Sequence, residues 1–187
     1  MIRSRPPTAA DSTFHITLPL SPDHRLLPLI QYNVVRGLIV NSIVLGWGRT
    51  SLEGRAGCSP PLPPLPTCLP ASIPPCLQPT TIQLSVPHRP QIDLSPSPRF
   101  RDNVILYGGP YMEELSADIY GGLFEGSNDL ETQGVLVWGD PWLEDSWELT
   151  EAFVKKWRFM LKGCAHLIEA TNRWREIRGE DRLVVEV

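Results

Sequence analysis

The 187-residue chain has only four cysteines, Cys58, Cys68, Cys76 and Cys164, and no two stand at the short spacing that holds zinc. Three of them fall in a proline-rich run, which argues for a reduced intracellular setting rather than a disulfide scaffold. The four histidines, His15, His24, His88 and His166, are equally scattered, so no metal site and no cofactor are expected. Basic residues are in the minority, 17 against 21 acidic, for a net charge of −4 and a pI near 5.6. That balance excludes a surface built mainly to neutralise nucleic-acid phosphates and leaves only a local patch for such contacts. No apolar stretch follows the charged beginning MIRSRPPTAADST, so it does not read as a secretory signal. The most apolar window, Leu26 to Trp47, is broken by Pro28, Gln31, Asn33, Arg36 and Asn41, which reads as a buried helix and not as a membrane span. No glycine-rich loop follows a strand, and no serine or cysteine sits in a nucleophile-elbow context, so an enzyme is not expected.

What is present in excess is proline, 20 residues, about twice the ~5% average share. They are concentrated, and they divide the chain. Residues 1–20 are polar without period and are expected to form a disordered arm. Ser21-Pro22-Asp23 then offers a cap, a proline at the first helical position and an acid in the first turn. Leu27, Ile30, Val34, Leu38 and Leu45 recur at helical spacing until Gly46 and Gly48 close the run. From Arg49 to Pro79 prolines are too frequent for a helix and the strand alternation is missing, so an extended, solvated loop is expected. Pro60, Pro61, Pro63, Pro64 and Pro66 loosely fit a PxxP docking pattern, with a plain linker as the alternative.

After the loop, Ser97-Pro98 repeats the cap-then-proline start, with Phe100, Val104 and Tyr107 on one face before Gly108-Gly109. Pro110 opens another helix through Met112, Leu115 and Ile119, ended by Gly121-Gly122, and Phe124 to Thr132 reads as a polar turn. Gly134 to Trp138, GVLVW, is a lone strand or a buried extended piece. The last third predicts a long helix capped by Asp145 or Ser146, with Glu148 and Glu151 at its start. Its apolar stripe is Phe153, Trp157, Met160, Leu161, Cys164 and Leu167, and Gly163 can split it. The expected architecture is mainly α: a helical domain of about five helices over residues 21–187, interrupted by the proline-rich loop 49–79.

Three groups of residues compete for chemistry. His88 and Asp93 fit a base and its orienter, but a turn in which Asp93 accepts backbone N–H bonds beside Arg101 or His88 explains them without catalysis. Asp140, Glu144, Asp145 and Glu148 read as paired carboxylates or as the acidic start of a helix. Five of the six tryptophans, Trp138, Trp142, Trp147, Trp157 and Trp174, fall in the last third. They could line a pocket or, with Arg173 and Arg175, stack bases; core packing is the alternative.

The stretch LQPTTIQLSVPHRPQIDLSPSPRFRDNVI, then GVLVWGDPW, then WELTEAFVKKWRFMLKGCAHLIEATNRWREIRGE together resemble the uncharacterised C-terminal domain of fungal basic leucine-zipper (bZIP) transcription factors. QYNVVRGLIVN resembles that domain's early helix, and the likeness runs over roughly Asp23 to Asp181 except the proline-rich segment. In this signature His88, Asp93, Arg101 and Asp102 are structural. The resemblance implies a nuclear, transcription-related domain acting through protein partners; without it, a cytoplasmic location is expected. The basic region and leucine heptads with which such factors grip DNA are missing from this chain, so no direct DNA binding of that type and no membrane association are expected. The alternative function is small-molecule sensing through an aromatic-lined pocket, with Trp138, Trp142, Trp157 and Trp174, and Arg173 and Arg175 beside them, as its residues.

Overall fold

Proline pre-sets the φ of a first helical turn and lacks only an N–H that would be unpaired there anyway. Pro22 opens α1 (Pro22–Val44) in this way, and Gly46, at φ +76°, turns the chain out of it. The coordinates, a computed structural model, describe residues 22–47, 69–120 and 134–185, with side chains of the first segment from Tyr32 onward. The expected arm 1–20, the Ser21 cap, the PxxP-like prolines, the Gly121-Gly122 stop and the polar turn 124–132 lie outside the described residues.

Among the described residues there are six α-helices and one two-stranded sheet, so the fold is mainly α. After α1 come α2 (Thr81–Ser85), α3 (Pro98–Tyr107), α4 (Met112–Tyr120), α5 (Glu151–Trp157) and α6 (Ala165–Ile177). Short 3-10 turns at Pro75–Leu77, Pro90–Leu94, Gly109–Tyr111, Glu144–Ser146 and Arg158–Leu161 join them. The end of the segment expected to be solvated, residues 69–79, is instead partly packed: Pro74 and Leu77 are buried, because the 3-10 turn presses Leu77 onto the domain.

The GVLVW run is one half of a hairpin. β1 (Val135–Val137) pairs antiparallel with β2 (Trp147–Leu149), matching Val135 to Leu149, Leu136 to Glu148 and Val137 to Trp147. This corrects the expected start of the last helix. Ser146 and Glu148 belong to the hairpin, and the helix begins at Glu151 with Thr150 as its cap, the Thr150 hydroxyl accepting from Phe153 N–H at 3.2 Å. Acid residues ahead of an apolar stripe resemble a helix start, but pairing of Trp147 and Leu149 with buried valines wins. Thr150→Ala is expected to cost about 1 kcal/mol, the usual value of such a cap. That corresponds to a melting point lower by about 2–4 °C; an unchanged melting point would show that the cap carries no stability.

The core gathers one face from every helix except α2. Val34 and Leu38 of α1, Phe100 and Val104 of α3, Leu115 of α4, Phe153 and Trp157 of α5 and Leu167 of α6 close over the hairpin. Helix α1 lies against β1 so closely that a side chain on Gly37 would meet Pro141 at 3.1 Å. Asn41, fully buried, fixes that approach by donating to the carbonyls of Leu94 at 2.9 Å and Pro141 at 2.8 Å. On the other side Thr171 of α6 accepts from Leu149 N–H at 3.0 Å. Gly163, at φ +76°, divides the last third into two helices.

Candidate functional site

The connection from Val86 to Asn103 is organised around a buried cation. Arg101 is 0% exposed, and its guanidinium donates to the carbonyls of Cys76 (2.6 Å), Ser95 (2.7 Å) and Gln78 (2.7 Å) and to Gln83 Oε1 (2.8 Å). A rigid fork of donors suits this task, since one side chain satisfies acceptors from three separate segments. Burial pulls its pKa below the usual arginine value, and Asp93 and Asp102 offset part of that.

The polar residues around it form a chain of bonds. Thr80 and Gln83 make a reciprocal capping box at the start of α2: Gln83 N–H donates to Thr80 Oγ1 at 3.1 Å, and Thr80 N–H to Gln83 Oε1 at 3.0 Å. The Thr80 hydroxyl donates to Asp102, the Gln83 amide donates to Asp93, and His88 Nε2 lies 2.8 Å from the same Asp93 oxygen. The structure therefore brings together His88, Asp93, Arg101 and Asp102. Asp93 is held by side chains, however, in place of the backbone N–H groups expected. The signal for Gln83 was in the sequence, as the capping-box pattern Thr80-x-x-Gln83.

His88 Nδ1 faces the Val86 carbonyl at 2.7 Å while Nε2 faces Asp93, so both ring nitrogens meet acceptors and both bonds need the imidazolium. Burial lowers its pKa, but the Val86 carbonyl and Asp93 outweigh that and raise it overall. A raised folded-state value means that the folded protein holds this proton more tightly than the unfolded chain. His88 should therefore stabilise fully below the unfolded value, about 6.5, and lose that contribution as pH rises through the higher folded value. The stability difference between the protein and His88→Gln should be larger at pH 5.5 than at pH 8.5, by under about 1 kcal/mol. Equal differences in urea denaturation at the two pH values would sink this.

The tryptophans do not surround one space. Trp157 is fully buried among Tyr111, Phe153 and Phe159, and its indole N–H donates to Asp118 at 2.7 Å. Trp138 and Trp174 stack on each other at 5.9 Å, with the Arg178 guanidinium 5.3 Å from the Trp138 ring. Trp142 is half-buried in the turn between the strands. Arg173 pairs with Asp145 at 2.7 Å, and Arg175 donates to the Asp181 carbonyl at 2.7 Å and faces Glu180 at 3.2 Å. In the structure these cations are engaged within the chain by exposed or half-buried partners.

The acids separate as well. The largely buried Glu144 and the exposed Asp145 face the exposed His166 at 3.0 and 3.4 Å. Glu148 is buried in the bidentate grip of Arg178 and accepts the Trp138 indole N–H at 2.7 Å. The buried Cys164 thiol is pushed up to about 12 by desolvation, helped by Glu144, which makes it a packing group. Among the described residues no group of three or more His, Cys, Asp or Glu is placed to hold a metal ion, and no helix is long and apolar enough to cross a membrane.

An apolar space does exist, partly open to solvent, but other residues line it. Between α1, α3, α4 and the hairpin lies a cavity of about 70 Å³, walled by Leu38, Phe100, Val104, Leu115, Val135 and Phe153, with Trp147 contributing the indole. None of Trp138, Trp142, Trp157 and Trp174 reaches it. Its wall includes Ser97, 1% exposed, whose hydroxyl has no hydrogen-bond partner and does not cap α3. Periodicity put Phe100, Val104 and Leu115 on core faces but could not show that the faces leave a gap.

Residues 66–168 match the family described as "Domain of unknown function (DUF3425)". The chain belongs to this family. The matched span contains the Arg101 network, the cavity's α3 and α4 walls and the whole hairpin. No curated protein and no solved structure matches the chain. In family terms, the domain's matched part begins just ahead of the Pro75–Leu77 turn that Arg101 holds, and it ends inside α6.

Proposed function

We propose that this member of the DUF3425 family is a transcription-regulator-associated interaction domain, acting in the nucleus through protein partners and without catalysis. The resemblance of its three sequence stretches to the C-terminal domain of fungal bZIP factors supports the transcriptional setting. The observation that carries the interaction part is a set of large apolar side chains left outside the core. Leu106 and Tyr107 at the end of α3 are 49% and 57% exposed, and Tyr111 and Phe159 meet edge to face at 5.5 Å while 43% and 48% exposed. Aromatic groups of this kind are enriched at protein interfaces. The His88–Asp93 pair supports a non-catalytic reading, since its bonds hold the connection together.

The test tethers the chain to an unrelated DNA-binding domain at a reporter promoter. Transcription should change several-fold, and Leu106→Ser with Tyr107→Ser should abolish the change while the melting point stays within about 2 °C. No effect from the tethered chain would sink the proposal. Tight binding of the isolated chain to a specific duplex, with affinity falling steeply as salt rises, would overturn its assignment as a domain without a DNA reader.

A second reading, small-molecule sensing, is favoured by the cavity at the centre of the fold. A ligand there at about a hundred times its dissociation constant would add about 2.7 kcal/mol of stability, visible in a thermal-shift screen. A broad library without a single hit would dismiss it.

A further inference from the structure

The cavity rests on the sensing reading for its biological meaning, but its walls already restrict what can enter. No Asp, Glu, Lys, Arg or His is among the described residues that line it. An ionised group drawn inside would lose its hydration with no opposite charge to meet, so a charged ligand head is excluded. Of the polar side chains that line it, Gln91, Ser95, Ser97 and Ser116, the buried one whose hydroxyl has no partner is Ser97; its N–H donates to Ser95 Oγ at 3.4 Å and its carbonyl accepts from Arg101 N–H at 3.0 Å. A buried hydroxyl without a partner is costly, and it can donate to a carbonyl or alcohol oxygen or accept from an alcohol. The volume of about 70 Å³ is about half that of a dry cavity walled by Leu, Ile and Phe that holds benzene, near 150 Å³. A slim chain of a few carbons fits better than a ring. Met112 and Ser116 of α4, both half-buried, mark where the wall reaches solvent, and the unbranched Met112 side chain can swing to admit it.

We propose that the cavity binds a short, neutral aliphatic molecule with a single hydroxyl or carbonyl oxygen. The oxygen pairs with Ser97 Oγ, and the chain lies between Phe100, Val104, Leu115 and Val135. Such a ligand touches α3, α4 and the hairpin at once, so its binding is coupled to the stability of the whole domain.

The test is a titration of the full chain, labelled at Leu and Val methyl groups, with 1-alkanols from ethanol to 1-octanol and with 1-chlorobutane. The Val104, Leu115 and Val135 methyl signals should shift and saturate. Affinity should rise about fourfold per added methylene until the chain outgrows the space, and then stop rising. 1-Butanol should bind about fivefold more tightly than 1-chlorobutane, the ratio expected for one hydrogen bond. Ser97→Ala, which removes only an unpaired hydroxyl and should fold normally, should lower that ratio by more than about fivefold and favour 1-chlorobutane, because the alcohol's hydroxyl would then be buried without a partner. Shifts that grow linearly to the solubility limit, as from a cavity holding water only, would overturn the proposal, as would a ratio that Ser97→Ala leaves unchanged. Thermal-shift hits confined to charged or large ring compounds would overturn this ligand class and leave the sensing reading standing.

Discussion

Replacing Arg101 by methionine is expected to destabilise the domain by about 4 kcal/mol, the largest effect of any single polar substitution here. Methionine keeps the apolar stem of the side chain and removes the guanidinium, with its charge and its donors. Four acceptors then lose a bond: the carbonyls of Cys76, Gln78 and Ser95, and the Gln83 side-chain oxygen, which keeps only Thr80 N–H. Each buried carbonyl left unpaired costs about 1–3 kcal/mol, reduced where water can follow. The 75–79 segment supplies two of the four, so it should come loose first and admit water there. For a chain of this size the loss translates to a melting point lower by roughly 8–16 °C. Arg101→Lys should recover little, since a single ammonium cannot reach acceptors on three segments in one plane. The control is Arg89→Met, because Arg89 makes an exposed pair with Glu113 at 2.7 Å and should change stability by under about 1 kcal/mol. If Arg101→Met melted within a few degrees of the unaltered chain, the guanidinium would not be the organiser of this connection. Hydrogen exchange gives a second readout: amides of residues 76–85 should speed up in the variant before those of α5 and α6 do.

How far the sequence reveals this molecule depends on the range of the interactions. Starts set by neighbouring residues were legible: Ser97-Pro98 begins α3, Gly46 ends α1, and Gly163 splits the final helices. The hairpin was half legible. GVLVW shows its apolar run, but its partner Trp-Glu-Leu hides among acids because Glu148 is neutralised by Arg178, thirty residues later. Without that distant cation a glutamate in a buried strand is a poor expectation. Arg101 was named as a structural residue, but its burial was hidden: an arginine in the first turn of a helix reads as solvated, and only three segments converging on it make burial affordable in energy. The tryptophans were legible only in part, for a different reason. Their spacing places Trp157 in the core and Trp174 on the outer side of the next helix, and the turn at Gly163 between them, which resets the helix face, was expected only as a possible break. The cavity depends on small mismatches among side chains from several elements, and no local pattern encodes those.

The Glu148–Arg178 pair should behave asymmetrically when it is taken apart. Glu148 is 2% exposed, whereas the Arg178 side chain is about a third exposed and also pairs with Glu180 at 2.7 Å. Arg178→Ala should strand a buried carboxylate with only the Trp138 indole N–H for company and cost about 3 kcal/mol. Glu148→Leu should cost less, because the abandoned guanidinium keeps Glu180 and can turn towards water. The double variant, Glu148→Leu with Arg178→Met, should recover most of the stability, since an apolar pair of similar volume suits a strand position flanked by buried Leu136 and the Trp138–Trp174 stack. A coupling of at least about 1.5 kcal/mol between the two sites is therefore expected in chemical denaturation. Additive losses would mean that the two charges are solvated independently, and the buried strand would need another explanation. Tryptophan fluorescence separates this from general unfolding. In Arg178→Ala the stack loses the cation over Trp138, so emission should shift at temperatures below the melting transition, and the shift should disappear in Arg178→Ala combined with Trp138→Phe. The pair thus ties α6 to β2 through a charge that the hairpin cannot satisfy alone, which is why the strand can carry a glutamate in its centre.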